Sequence, residues 1–570
     1  MKKNNTSINI KLTGKNLIYI ITVIILLNLI SSNLFFRLDL TGDKRFTLAE
    51  PTKEILDSLN DVVYIKVYLE GEIPIGFSKL KKSIKETLDE FKVYGKRYIE
   101  YEFINPYENK DQEDRDALFR ELYKKGLQPT NIQIKNDEGG TSQKLVFPGA
   151  LVSYKNAETG INLLSNNPGL PAEVNLNNSI QSLEYRFISL IRNITSEKIE
   201  KVAFIEGHGE LNEFETGDIT KALANYYQVD RGIINGKEGI LDDYKAVIIA
   251  KPQRPFSEKD KYVLDQYIMN GGKVLWFIDA VNVNTDSLLY GQTLALINDI
   301  NIDDQLFRYG VRVNPVLVKD MQANYIPVNT AVAGSPQPKW TPVPWPYFPL
   351  LLGKENHPVT RNLNMIKSEY ISSIDTLDVE NVEEQVVLET SSASGNLVVP
   401  AFISLDEINN KPKENEYNAD AQPVAVILEG EFTSVFKNRM LKTILGYDPA
   451  DYKEKSKPTK MMVVADGDII RNEVTYSPRG NMISPLGYDR YTNHTFGNKE
   501  FVLNAVNFLV DDAGIIDLRS REYKLRLLDK EKLHESKLKW QLINIVLPLL
   551  IIFLFGLGNH YFRKKRYQQL

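Results

Sequence analysis

Long uncharged apolar runs lie near both ends of the chain. Residues 17–36 and 541–559 contain no Asp, Glu, Lys or Arg, and each run is close to the roughly 20 apolar residues that span a bilayer core. The pattern predicts one transmembrane helix at each end. A cleavable signal peptide is the alternative for the first run, although no small-residue cleavage site follows it. A buried core helix is the alternative for the second.

Between these runs, the segment 37–196 switches between the two hydrophobic periods. Strand-like runs at 62–69 and 98–104 flank a segment, 79–94, in which apolar residues have helical spacing. A further helix is predicted at 179–193, after a polar stretch that we interpret as a loop. We expect a first extracytoplasmic α/β domain of thioredoxin-like size.

The segment 197–515 alternates strands and helices in the order typical of a doubly wound parallel sheet. Helices are predicted at 218–227, 257–272 and 498–512. The predicted buried strands are KVAFIEG, YQVDRGII, KAVIIAKP, KVLWFIDAV, QPVAVILEG and TKMMVVADGDII. We expect a second, larger extracytoplasmic α/β domain that carries insertions and hairpins between its later strands.

Charged residues next to the two runs predict the orientation in the membrane. Four lysines precede the first run and the sequence RKKR follows the second, and basic residues collect on the cytoplasmic side. We therefore expect a two-pass protein of the inner (cytoplasmic) membrane, with cytoplasmic tails at 1–16 and 560–570 and the bulk of the chain in the periplasm. The charged stretch 516–540 is predicted to be a stalk helix that enters the second span.

Composition narrows the chemistry. The 570 residues are 43% hydrophobic and include no cysteine, which excludes disulfides, thiolate metal sites and cysteine nucleophiles. The net charge of −5 provides no basic field for a phosphate backbone. Five histidines are scattered without zinc-ligand spacing. We predict no nucleic-acid partner, no metal, no cofactor and no catalytic residue.

The first candidate site follows the strand that opens the second segment. Gly207, His208, Gly209 and Glu210 would lie at the carboxyl edge of the sheet, where ligands bind in doubly wound folds. Asn212 stands where a dinucleotide fingerprint needs its third glycine. The loop is therefore either a glycine-permitted turn or a contact site for a ligand or partner.

Three aspartates at predicted strand ends could meet this loop. Asp279 ends the run WFID, and Asp466 and Asp468 lie in VVADGDI. Carboxylates brought together there could serve acid–base chemistry or hold a cation. Asp-Gly after a strand is, however, first of all a turn signal.

A segment rich in proline and aromatic residues supplies a candidate docking surface. Trp340, Trp345, Tyr347 and Phe348 alternate with prolines in KWTPVPWPYFP. Such a stiff segment with few backbone donors is either an ordered loop that covers the edge of a core or a presented docking surface.

Six motifs are distributed along the chain: FRLDLTGDKRFTLAEPTKEIL, VAFIEGHGE, PWPYFPLL, VVADGDI, GNKEFVLNAVNFLVDD and LRLLDKEKL followed by WQLINIVLPLL. Together they resemble the ABC-transporter auxiliary family, in particular its gliding-motility members from Bacteroidota. The resemblance covers nearly the whole chain.

The resemblance implies a non-ATPase, extracytoplasmic auxiliary subunit, described for the family as substrate-binding, of an ABC transporter needed for gliding motility. It implies a GldF-like ABC permease and a GldA-like ATP-binding subunit as partners, with a link to gliding or secretion machinery. It also implies a glutamine-amidotransferase-like fold for the second domain. Because there is no cysteine, amidotransferase chemistry is not carried over, and we expect no enzyme activity. The alternative is a membrane-tethered hydrolase or ligand sensor that uses the Gly207–Glu210 loop.

Overall fold

The computed structural model describes most of the chain. The described residues are 19, 21–23, 47–108, 111–135, 141–165, 171–196, 199–331, 337–409, 413–449, 451–478, 480–520 and 530–567. The predicted first span, 17–36, lies outside them except for residues 19 and 21–23, which are helical. The chain divides into two units, Met1–Arg521 and Glu522–Leu570.

The amino-terminal part of the first unit is built around a four-stranded sheet. Its elements are α1 (Glu50–Asp57), β1 (Val63–Val67), α2 (Ile75–Gly95), β2 (Ile99–Phe103), α3 (Gln112–Lys124), β3 (Thr130–Lys135), β4 (Thr141–Val146), β5 (Gly149–Tyr154), β6 (Ala157–Asn162), α4 (Ala172–Gln181) and α5 (Leu183–Thr195). The sheet order is β2-β1-β5-β6, with β1 parallel to β2 and antiparallel to β5. The predicted order of helix, strand, helix and strand is present.

Hydrophobic periodicity explains this core. Leu80, Ile84 and Leu88 recur every four residues along α2 and are buried, as are the alternate β1 residues Val63 and Ile65. Fully burying each such side chain contributes about 1.5–3 kcal/mol. The two-residue period of β1 and the four-residue period of α2 therefore specify which side of each element faces the core.

The prediction for 163–193 is wrong in part. The stretch interpreted as a loop contains α4, and the predicted helix at 179–193 is the later part of α4 together with α5, with Ser182 between them. Polar residues such as Asn175 and Ser179 are buried in α4, because Ser179 Oγ donates to the Asn175 carbonyl at 2.6 Å. An asparagine-rich composition therefore did not exclude a helix here.

The remainder of the first unit is organised around a ten-stranded sheet. Its elements are β7 (Lys201–Glu206), α6 (Gly217–Leu223), β8 (Gln228–Ile233), β9 (Ala246–Ala250), α7 (Glu258–Met269), β10 (Lys273–Phe277), β11 (Val281–Val283), β12 (Gln292–Ile297), α8 (Asp303–Tyr309), β13 (Val311–Val313), β14 (Val316–Asp320), β15 (Ala323–Asn329), β16 (Trp340–Gly353), β17 (Ile366–Lys367), β18 (Ile374–Thr376), β19 (Val382–Glu389), β20 (Ser394–Val398), β21 (Ala401–Ser404), β22 (Pro423–Gly430), α9 (Leu441–Leu445), β23 (Thr459–Val464), β24 (Val474–Thr475), β25 (Met482–Ile483), β26 (Tyr488–Asp489), β27 (His494–Thr495) and α10 (Asn498–Val510).

This sheet is mixed rather than parallel throughout. Its order is β15-β16-β19-β22-β23-β10-β9-β7-β8, with β17 paired to β16. The five strands from β23 to β8 are parallel, as predicted. The strands from β22 outward are antiparallel, which the prediction missed. The parallel strands β9 and β10 are buried at every position, as expected for strands covered on both faces.

The strand order reverses between β7 and β9. The connection through α6 leads from β7 to β8 on one side, and the connection through α7 leads from β9 to β10 on the other. Right-handed crossovers that run in opposite directions place their helices on opposite faces. The carboxyl ends of β7 and β9 are therefore a topological switch point, where ligands bind in open α/β sheets.

The predicted stalk begins later than residue 516. Residues Ile516–Ser520 form a 3-10 turn within the first unit, and the half-buried Arg519 guanidinium donates to the carbonyls of Pro358 and Arg361 at 2.9 and 3.0 Å and to Asn504 Oδ1 at 2.9 Å. These three oxygen acceptors hold the Arg519 side chain against the first unit.

The second unit contains one described helix, α11 (Lys530–Tyr567). Within it, Ser536–Lys565 has a mean hydropathy of 2.3 in its most apolar window and is, among the described residues, the one helix long and apolar enough to cross a membrane. It contains the whole of the predicted second span, 541–559.

Candidate functional site at the carboxyl edge of the sheet

Three of the parallel strands, β7, β10 and β23, deliver the predicted polar residues to one edge of the sheet. Gly207–Glu210 follow β7, Asp279 lies two residues after β10, and Asp466 and Asp468 lie just beyond β23. The edge thus carries two groups of predicted residues, which we call the His208 turn (Gly207–Glu210) and the aspartate cluster (Asp279, Asp466 and Asp468).

In the His208 turn, the imidazole is buried between two carboxylates. His208 Nδ1 lies 3.0 Å from Glu210 Oε1, and Nε2 lies 3.2 Å from Asp260 Oδ2. The ring also stacks on Phe256, with centroids 3.7 Å apart. Glu210 Oε2 accepts from the His208 backbone N–H at 2.7 Å. Both ring nitrogens and the carboxylate are therefore engaged by this chain itself.

The two carboxylates favour a charged imidazole. Burial opposes protonation of His208, but the hydrogen bonds and charges of Glu210 and Asp260 outweigh it, so the pKa of His208 is raised above its ordinary value. The turn is thus a compact buried ion cluster.

Both glycines of the turn have backbone conformations that other residues rarely adopt. Gly207 has φ +116° and Gly209 has φ +78°. A Cβ on Gly209 would lie 3.2 Å from Gln253 Cβ, and the backbone N–H groups of Gln253 and Arg254 both donate to the His208 carbonyl at 2.8 Å. The glycines are thus explained by the tight turn, and a ligand or partner contact at this loop stays a prediction.

The aspartate cluster is bound together by backbone donors and two cations. Asp466 accepts from the N–H groups of Asp468 at 2.7 Å and Glu369 at 3.0 Å. Lys251 Nζ lies 3.1 Å from Asp279 Oδ2 and also contacts Asp468. Arg471 Nε lies 2.6 Å from Asp468 Oδ1. Each carboxylate therefore has a partner within the chain.

Burial and charge divide the three carboxyls. Burial, together with the other carboxylates, raises the pKa of Asp466 well above its usual range. Burial also raises the pKa of Asp279, although Lys251 opposes the change. For Asp468 burial is outweighed by the charges of Lys251 and Arg471, and its pKa is lowered. In this cluster Asp468 therefore favours the charged carboxylate, whereas Asp466 favours the neutral carboxyl.

The cluster has the oxygens of a cation site but already contains a cation. One oxygen from each of the three aspartates lies within 4.8 Å of the others, a spacing that suits a hard cation with oxygen ligands. The Lys251 ammonium contacts two of these residues and supplies the charge that a metal ion would bring. The Lys251 ammonium can therefore offset the charge of the aspartates without a metal ion.

The basic residues of this cluster, Lys251 and Arg471, were not among the residues predicted from the sequence. Lys251 directly follows the fully apolar strand β9, the same signal that selected Asp279 after β10. Arg471 and Glu369, which form an ion pair at 2.8 Å, have no such signal because they lie in loops.

The two groups are neighbours, but among the described residues no hydrogen bond or ion pair joins the His208 turn directly to the three aspartates. The segment 251–254 connects them, because Lys251 binds the aspartates while Gln253 and Arg254 bind the His208 carbonyl. The predicted convergence is thus indirect.

The predicted docking surface is wrong for three of its four residues. Trp345, Tyr347 and Phe348 are buried, and only Trp340 is exposed, at 61%. They lie on β16 and pack in a core with Val281, Ala295, Ile403 and neighbouring residues. That core lies under the small sheet β11-β12-β21. The segment does cover a core, as in the alternative interpretation, but it is a strand rather than the ordered loop expected there.

Comparison with known proteins adds a family. The profile of a family described as an ABC-type uncharacterized transport system matches residues 200–505, and that of a domain of unknown function, DUF7088, matches residues 42–153. An uncharacterized protein of Borreliella burgdorferi is 22% identical over 569 residues, which cover 97% of this chain and 98% of that protein. The mmIFT52 N-terminal domain matches at 13% identity over 55% of this chain and 99% of its own, with a TM-score of 0.32, too low to establish a shared fold.

The family profile covers more than half of the chain and includes the ten-stranded sheet with its carboxyl edge. Membership implies association with an ABC transporter and a non-ATPase accessory role, and the apolar helix of the second unit suggests membrane anchoring. The chain therefore belongs to the auxiliary family of ABC-type transport systems.

Proposed function

We propose that this protein is an extracytoplasmic, non-ATPase subunit that couples an ABC transporter to envelope cargo or partners and catalyses no reaction of its own. The observation that carries the proposal is the family match over residues 200–505. A subunit of this kind needs a rigid body and a membrane tether, and the described apolar helix Ser536–Lys565 supplies a candidate tether.

The chemistry of the carboxyl edge supports a structural rather than a catalytic role. Catalysis needs a group that is free to exchange protons or to contact a substrate. In the aspartate cluster, Lys251, Arg471 and backbone N–H groups occupy the carboxylates. The cluster then serves to hold the ends of β9, β10 and β23 together.

The finer assignment follows the sequence resemblance. In this proposal the protein is a GldG-type gliding-motility subunit with a GldF-like permease and a GldA-like ATP-binding subunit as partners. It spans the inner membrane twice, its body lies in the periplasm and both termini are cytoplasmic. The support is the motif set around the first predicted span and the basic residues outside both spans.

A membrane-tethered hydrolase or ligand sensor is the second candidate. The observation that favours it is the raised pKa of Asp279 and Asp466 at the carboxyl edge of the sheet, since perturbed carboxyls collect at functional sites. Replacing His208, Glu210 and Asp466 singly with Ala separates the two candidates. Loss of function with complex assembly and stability retained would favour the second.

The first experiment is purification of the tagged full-length chain from its native membrane in mild detergent. Mass spectrometry should identify an ABC permease and an ATP-binding protein, and the preparation should hydrolyse ATP in a vanadate-sensitive manner. The purified chain alone, as control, should not. A chain that comes down without either subunit would contradict the proposal.

A further inference from the structure

The small sheet β11-β12-β21 has one face packed and one face bare. Its inner residues Thr293, Ala295 and Ile403 are buried over the aromatic core of β16. Because side chains alternate along a strand, Leu294, Leu296 and Phe402 belong to the opposite face. These three side chains form an apolar centre on that face, and the polar residues Asn282, Gln292 and Ser404 lie beside them.

The three apolar side chains at the centre of the bare face are neighbours. Leu294 is the direct cross-strand partner of Phe402, and Leu296 lies two residues further along β12. Leu294 is 39% exposed, Leu296 46% and Phe402 68%. Contiguous exposed apolar side chains of this kind mark interaction sites.

The charge around this face restricts what can bind it. The two segments that build it, 281–300 and 394–409, contain four carboxylates and no lysine or arginine. Asp286 and Asp406 lie beyond one end of the sheet and Asp299 beyond the other, and all three are exposed. An apolar centre with an acidic rim complements an apolar centre with a basic rim.

We propose that this face docks a second protein whose contact surface has an apolar centre ringed by lysine or arginine. Anionic lipid headgroups would meet the acidic rim with the same sign of charge, which disfavours a membrane surface. A second copy of the chain would bring its own acidic rim, which disfavours a symmetric dimer. A basic-rimmed protein satisfies both constraints.

The face is joined to the candidate functional site. Asn298, at the end of β12, donates through Nδ2 to the carbonyls of Asp279 at 3.0 Å and Pro252 at 3.3 Å. Phe256, which stacks on His208, donates its N–H to the Ile300 carbonyl at 2.9 Å. Docking on this sheet would thus act directly on the carboxyl edge. This inference rests on the proposed function only in placing the partner in the transporter complex.

Photo-crosslinking in native membranes tests the proposal. The chain has no cysteine, so Phe402→Cys carries the only maleimide–benzophenone label. We expect an adduct with another protein, mapped to an apolar segment flanked by lysine or arginine and at least fivefold weaker in high salt. Tyr123→Cys, at an exposed aromatic residue on α3, is the matched control and should lack that adduct.

Co-purification provides the second readout. The double variant Leu294→Ser with Phe402→Ser should retain the wild-type melting temperature, because its side chains are exposed, and should recover at least tenfold less of the permease and ATP-binding subunits. Asp299→Lys with Asp406→Lys should also weaken recovery without touching the apolar centre. Tyr123→Ser should change nothing.

The outcomes separate this inference from the proposed function. A lipid adduct, a self-adduct or no adduct at position 402 would overturn it, as would full recovery of the complex with both double variants. If the wild-type chain retrieves no ABC subunit, the proposed function fails. The adduct at position 402 then still decides whether this face binds a basic-rimmed protein.

Discussion

The His208 turn and the aspartate cluster lie at the same edge of one sheet but collect their partners differently. In the turn, His208 binds Glu210, two residues along the chain, and Asp260 of α7, 52 residues along the chain. The cluster unites Lys251, Asp279, Glu369, Asp466 and Arg471, which lie up to 220 residues apart. The turn therefore needs only two segments of the chain, 207–210 and 253–260, whereas the cluster needs the ends of three strands together with two loops.

The second difference is the kind of charge that each group surrounds. The turn places one titratable cation between two carboxylates, so a change of pH can remove its charge. The cluster relies on lysine and arginine, which stay charged throughout the physiological range. Loss of a charged partner should therefore destabilise the fold more in the cluster than in the turn, because the buried charge that remains is not removed by a change of pH within the physiological range.

Removing Lys251 should produce the largest effect. In Lys251→Met, Asp279 and Asp468 lose their shared ammonium, and the free energy of unfolding should fall by about 3–5 kcal/mol. Denaturant unfolding of the detergent-solubilised chain measures it. Lys259→Met, at an exposed lysine on the following helix, should change stability by less than about 0.5 kcal/mol. Adding Asp279→Asn to Lys251→Met should recover part of the loss, and a neutral effect of Lys251→Met would contradict the assigned role.

Replacing Gly209 tests the local group in the same way. Gly209→Ala must hold an L side chain at φ +78° and close to Gln253, which should cost about 1–3 kcal/mol. Gly232→Ala, on the edge strand β8 with open space around its Cβ position, is the matched control. Equal unfolding free energies for the two variants would show that the turn is not constrained as described.

The same two groups illustrate how far sequence reasoning reaches. Polar residues directly after buried strands identified the His208 turn and all three aspartates, because the carboxyl ends of parallel strands share one edge. The partners Glu369 and Arg471 come from loops, and neither hydrophobic period nor spacing encodes where a loop returns. The sequence thus predicted which residues lie at this edge of the sheet, but not which loop residues would pair with the buried aspartates.

The proline-rich segment shows a second limit. Pro342, Pro344 and Pro346 remove donors from one side of β16 only, since alternate residues point their N–H groups to opposite sides. Among the described residues, the strand paired with β16 around these prolines is β15, on one side. The segment could therefore remain a strand and bury Trp345 and Tyr347, although its composition is typical of a loop.

Replacing the Lys251 ammonium of the cluster with a metal ion should have the third-largest effect. With Lys251 in place, Ca²⁺ should not stabilise the wild-type chain through the three aspartates. Lys251→Met leaves their oxygens within 4.8 Å of one another without the ammonium, so Ca²⁺ at tenfold over its Kd should restore about 1.4 kcal/mol. Thermal unfolding with and without Ca²⁺ measures this. An equal shift in both chains would mean that Lys251 does not occupy the cation position.

The smallest effect should be the pH response of the His208 turn. Since the folded state raises the pKa of His208, its charge stabilises the fold fully below the unfolded value of about 6.5 and ceases to do so as the pH rises through the folded value. His208→Gln lacks this dependence, so the stability difference between wild type and variant should be largest near pH 6 and shrink towards pH 9. Urea unfolding of both chains across that range isolates the imidazole from the buried aspartates, which titrate in both. A difference that stays constant, or grows with pH, would mean that His208 is neutral in the folded turn and that its two carboxylates do not act as counter-charges.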